Sequence, residues 1–129
     1  MDAKTLAKLR KALEERRVEI EQDVSFMAGE IKAIGDEQGD EAGGLGNHMA
    51  EDGSSLNEAE RLTTITDDME GMLGQIASAL RRMDEGTYGM CERCGKPIPE
   101  ARLEAFPHVL FCIECQAMYE RELAIRAGR

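Results

Sequence analysis

Four cysteines carry the chemistry of this chain. Cys91 and Cys94 form one Cys-x-x-Cys pair, and Cys112 and Cys115 form a second after seventeen intervening residues. Each pair grips a metal from a tight turn, and the loop between them brings the pairs together. Four thiolates at this spacing match a tetrahedral structural zinc site. All four positions are filled by protein, so one Zn2+ held there is structural, with no open position for a substrate or an activated water. Such binding is worth roughly 10–16 kcal/mol of apparent free energy near neutral pH, enough to fold a small segment that has little core of its own.

Other uses of four cysteines weigh less. Disulfides need an oxidising compartment, and the opening residues Met1-Asp-Ala-Lys-Thr-Leu6 read as a charged helix rather than a secretory leader. A thiol–disulfide redox pair goes with a βαβ pattern that this chain lacks. An iron–sulfur cluster also takes four thiolates but is rarer at this spacing. His108 lies in the finger loop. With four cysteines available, it reads as a surface residue or as support for a ligand.

The elements that position these cysteines are helical. Leu6, Leu13, Ile20, Met27 and Ile34 recur every seven residues, with Leu9, Val24 and Ile31 beside them and Arg16-Arg17 interrupting the seam. Asp2 is the expected N-cap and Gly35 the expected stop, giving a helix over about 3–34. Residues 35–54 hold six glycines and six acids with no Lys or Arg, and read as a flexible acidic loop. Ser55 and Glu58 fit a capping box opening a second helix over about 55–85, whose seam is Leu62, Met69, Ile76 and Met83 with Ile65, Met72, Leu73 and Leu80. Gly86 closes it. The expected fold is mainly α: an antiparallel coiled-coil hairpin over 1–86, each arm about 45 Å long, and a four-cysteine zinc finger with a C-terminal helix over 87–129. Within the finger, Gly95 supplies a left-handed turn that points amides at the thiolates. Val109-Leu-Phe111 reads as a short strand, and 113–127 as a helix docking on the hairpin base.

Composition narrows the partners. Trp is absent, aromatics are 4%, charged residues are 33%, and the formal net charge is −10. Ionising four thiols and adding Zn2+ takes that charge to −12. Such a chain repels phosphate backbones, so the finger is not expected to bind DNA; a basic channel or groove on a protein suits it better. No apolar run reaches the roughly 18–20 residues of a membrane span. Metal-binding thiols must stay reduced, which predicts a cytoplasmic protein.

The order hairpin, Tyr88-Gly-Met-Cys91-Glu-Arg-Cys94-Gly, Ile98, Arg102-Leu-Glu-Ala-Phe-Pro107, Cys112-Ile-Glu-Cys115-Gln resembles the DksA/TraR family of bacterial transcription regulators. The finger motif is specific and covers 88–116, while the hairpin matches in layout. The resemblance implies a non-enzymatic protein that binds RNA polymerase rather than DNA. Its hairpin would enter the secondary channel, and acidic tip residues would act near the catalytic magnesium to modulate initiation.

Two departures from the family pattern follow. Family members carry Asp-x-x-Asp-x-Ala at the tip, where this chain has His48-Met-Ala-Glu51-Asp52-Gly53. Glu51 and Asp52 are the candidates for the electrostatic role, with His48 as a hydrogen-bonding neighbour. Members that form a ppGpp site with polymerase place basic residues at positions matching Gln75, Phe106 and Gln116. None of these is cationic here, which predicts weak or absent ppGpp synergy, with Arg81, Arg82 and Arg102 close by in sequence as substitutes. Two rival readings are a zinc-stabilised coiled-coil protein serving another cytoplasmic partner, or occupying the channel passively, and a thiol–disulfide protein.

Overall fold

The computed structural model describes the backbone of residues 1–40 and 49–128 and the side chains of 1–35 and 56–128. Among the described residues four helices follow in order: α1 (Ala3–Asp40), α2 (Met49–Glu85), α3 (Glu100–Ala105) and α4 (Ile113–Ala127).

Helix α1 starts where its sequence provides a cap. The Asp2 carboxylate accepts the Thr5 amide at 2.7 Å, and this hydrogen bond holds the carboxyl below its ordinary pKa. The far end runs on through the expected stop at Gly35 to Asp40. Helix α2 likewise begins at Met49, so Ser55 lies inside it and the expected capping box does not open the helix. The physical reason is cooperativity. A nucleated helix extends at little cost through Glu, Gln, Ala and Met, and an interior glycine penalises it by only about 1 kcal/mol.

Helix α2 ends as expected at Gly86, whose φ is +79°. The Thr87 amide reaches back to the Arg82 carbonyl at 2.9 Å and the Gly86 amide to the Met83 carbonyl at 3.3 Å. These are the two bonds of a Schellman cap.

The chain divides into two compact units. One joins Met1–Arg16 to Gly74–Arg129, so the finger shares a unit with the adjoining helix ends; the other is Arg17–Leu73. In the first unit Leu9, Leu13, Ile76, Ala79, Leu80 and Met83 are buried together with Ile98 and Leu103 of the finger, and Arg10 pairs with Asp84 at 2.7 Å. In the second, Ile20 is buried while Val24, Met27, Ile31, Leu62, Ile65 and Met69 are half-buried, and the Thr66 hydroxyl lies 3.8 Å from the Met27 sulfur. Two helices alone bury only a stripe of each, which accounts for the thinner core there. Residue 10 meets 84 and residue 27 meets 66, as antiparallel pairing of the predicted seams requires.

Candidate metal centre

The two halves of the finger are built differently. The first is a turn closed by the isolated antiparallel bridge between Met90 and Pro97. The Cys91 amide donates to the Lys96 carbonyl at 2.8 Å and the Gly95 amide to the Cys91 carbonyl at 2.9 Å. Gly95 takes φ +76°, the left-handed conformation expected of it. The second half is the start of α4. Cys112 is the N-cap residue with extended backbone, and Cys115 sits within the first turn, where free amides face outward. Val109-Leu-Phe111 forms no strand. Instead, the Leu110 carbonyl accepts the Glu92 amide at 2.8 Å and the Phe111 carbonyl accepts the Arg102 guanidinium at 3.2 Å, so these residues tie the loop to the first knuckle and to α3 without a ladder.

The four sulfurs of Cys91, Cys94, Cys112 and Cys115 all lie within 4.8 Å of one another, and Cys94 Sγ is 3.9 Å from Cys112 Sγ. Thiolates about 2.3 Å from a tetrahedral zinc stand about 3.8 Å apart, so the set fits the ion. Its protonation fits as well. Burial opposes ionisation of Cys91, but backbone amides of Cys94, Cys112 and Arg93 and the Cys94 thiol together outweigh it and bring the thiol down to about 6. Burial first, then hydrogen bonding to the neighbouring cysteines, pushes Cys115 up to about 12 despite its place in the first turn of α4. Four thiolates this close repel one another, and a divalent cation is what lets all of them lose their protons.

The surroundings hold residues that the motif did not reveal. Arg82, buried at the end of α2, donates to the carbonyls of Thr87 and Met90. The Tyr88 hydroxyl donates to the Pro107 carbonyl at 2.9 Å across the finger, and burial pushes it up to about 12, against the pull of the Arg82 charge. Arg93 reaches Glu122 on α4 at 2.5 Å. A basic residue in the last turn before a glycine stop was the available signal for Arg82; nothing in the spacing marked Glu122. His108 is half-buried and edge-on to Phe106 at 6.4 Å, outside the sulfur cluster. Burial, then the charges of Arg16 and Arg102, hold its pKa below the ordinary value.

Helix α4 meets the finger through Phe111 and Tyr119, whose rings are 5.5 Å apart, and through Glu122. Met118, Leu123 and Ile125 are exposed rather than buried against the hairpin base as expected. Of the expected tip residues, His48 lies outside the described residues. Glu51 and Asp52 fall in the first turn of α2, with their side chains outside the description.

Residues 86–121 match the prokaryotic dksA/traR C4-type zinc finger. The chain belongs to the DksA/TraR family. General stress protein 16O of Bacillus subtilis is 32% identical over 106 residues, covering 82% of this chain and 65% of that protein. The RNA polymerase-binding transcription factor DksA of Caulobacter vibrioides is 38% identical over 77 residues, covering 58% of this chain and 54% of the relative. The matched segments thus span about half to two thirds of the length of these two relatives. The structure of DksA2 from Pseudomonas aeruginosa superposes with a TM-score of 0.74 at 24% identity over 96% of this chain and 89% of that one. At that identity it shows the fold alone: the helical hairpin with its finger.

Proposed function

We propose that this chain is a bacterial transcription regulator that binds RNA polymerase and acts through the secondary channel without specific DNA contacts. The carrying observation is the combination of a DksA/TraR finger with an antiparallel helix pair in a chain whose Caulobacter relative is named for polymerase binding. A net charge of −10 suits a basic channel and opposes binding to a phosphate backbone. Zinc holds the finger and performs no chemistry on a substrate, since four cysteines complete its coordination. No described helix is long and apolar enough to cross a membrane, and reduced thiols point to the cytoplasm.

Glu51 and Asp52 supply the negative charge at the hairpin tip, with His48 as their neighbour. The ppGpp response is weak or absent. Gln75, Phe106 and Gln116 carry no charge, and two of the nearby arginines are already engaged: Arg82 by the Thr87 and Met90 carbonyls and Arg102 by the Phe111 carbonyl. Arg81 is exposed, 3.9 Å from Glu85.

The test is to replace Glu51 and Asp52 by alanine and measure polymerase binding and promoter output together, with and without ppGpp. The proposal expects binding to persist while the effect on transcription is lost, and ppGpp to add little. An alanine variant that still regulates would remove the tip's assigned role and leave a passive channel occupant. Strong ppGpp enhancement of the unaltered protein would overturn the alarmone reading.

A further inference from the structure

We propose that the Arg93–Glu122 ion pair is a latch that sets how fast the finger releases its zinc. Arg93 lies between Cys91 and Cys94 in the first knuckle, and Glu122 lies on α4, the helix whose first turn holds Cys115. The contact is two-pronged: one guanidinium nitrogen is 2.5 Å from one carboxylate oxygen and the other nitrogen 3.4 Å from the second. This geometry is the directional form of an Arg–carboxylate pair. It joins side chains 29 positions apart, one from each half of the metal site.

The position of the pair gives it a kinetic role. Cys91 and Cys115 are buried and Cys112 is half-buried, while Cys94 is the exposed ligand. A competing chelator therefore reaches the metal from the Cys94 side. Once the Cys94 sulfur leaves, the metal stays only while the first knuckle remains against α4. The Glu92 amide on the Leu110 carbonyl at 2.8 Å anchors the knuckle to the loop before Cys112. Apart from the ligand sulfurs themselves, the described contact that ties it to α4 is Arg93 on Glu122. Its guanidinium also offsets the charge of a zinc tetrathiolate, which is doubly negative. Glu122 has Arg126 one turn further along α4, whose charge also favours its ionised form, so an opened Glu122 has an alternative partner.

Both side chains are partly exposed, at 32% and 46%, and water limits the strength of such a pair. An effect of about fivefold on release is the size expected for a well-aligned exposed ion pair. The experiment loads the full chain with zinc, adds excess of a chromogenic chelator such as pyridylazoresorcinol, and follows release by absorbance. Arg93→Ala and Glu122→Ala should each release zinc about fivefold faster. The charge-reversed double variant Arg93→Glu/Glu122→Arg should return to within about twofold of the unaltered chain. Glu122→Gln, which keeps a hydrogen-bond acceptor, tests the same point should a truncated variant load poorly, and should fall between. Wild-type release rates in the single variants would overturn the latch. So would acceleration by Arg93→Ala alone, since Arg93 would then act on the thiolates without Glu122.

Discussion

The guanidinium of Arg82 donates to the main-chain carbonyl of Met90, the residue immediately before the first zinc ligand. It also donates to the carbonyl of Thr87, and its own carbonyl accepts the Thr87 amide. One residue at the end of α2 thus fixes where the finger begins. Arg82→Met keeps the stem but leaves both carbonyls without this donor. A charged hydrogen-bond donor in a buried setting predicts a loss of about 2–3 kcal/mol in urea unfolding of the zinc-loaded protein. A change below about 0.5 kcal/mol would mean that water replaces Arg82 freely.

Tyr88 links stability to alkaline pH. Its folded pKa is raised to about 12, above the roughly 10 of an exposed tyrosine. The folded state therefore holds the phenolic proton more tightly. The resulting stability is complete below about pH 10 and is lost as pH rises toward about 12. Absorbance titration at the phenolate band should show a tyrosine ionising near 12 that is missing in Tyr88→Phe. The same variant should lose about 1 kcal/mol at neutral pH through the Pro107 hydrogen bond.

Two glycines should respond in opposite directions. Gly86 has φ +79° with open space where a Cβ would sit, so Gly86→Ala meets backbone strain alone and should cost about 1–2 kcal/mol. Gly74 lies inside α2 with nothing within 4 Å of where a Cβ would sit, so Gly74→Ala should stabilise by about 1 kcal/mol. Thermal melts of the two variants decide both.

Metal removal should undo the finger. Cys115→Ser or chelation should abolish protection from exchange at the amides of Cys91, Glu92 and Ile98, which are hydrogen-bonded in the folded finger. Zinc must also displace the proton held by Cys115, whose thiol is pushed up to about 12. Affinity should therefore fall as pH falls, on the order of tenfold per pH unit for each proton displaced. A pH-independent affinity would contradict the proton inventory.

Much of this structure was legible in the chain because its signals are local or periodic. The cysteine spacing located the sulfur cluster, and the seven-residue seams picked out Leu13, Ile20 and Ile76, now buried. Asp2, Gly86 and Gly95 were readable from cap and turn chemistry. The helix ends at Asp40 and Met49 were not, because an interior glycine costs a helix only about 1 kcal/mol and both helices run through one. Val109-Leu-Phe111 has the composition of a strand, yet it spends its Leu110 and Phe111 carbonyls on Glu92 and Arg102, a tertiary outcome that no short window contains. Glu122 and Tyr88 act on residues far away in the sequence and left no local trace.

The most direct measurement is binding of the zinc-loaded chain to bacterial core RNA polymerase in competition with a known secondary-channel factor. The expected result is saturable binding that the competitor displaces, and that is lost when chelation unfolds the finger. Saturable binding that the competitor leaves untouched would contradict the channel placement. No binding at all would contradict the polymerase assignment while leaving the helix pair and its zinc finger as described.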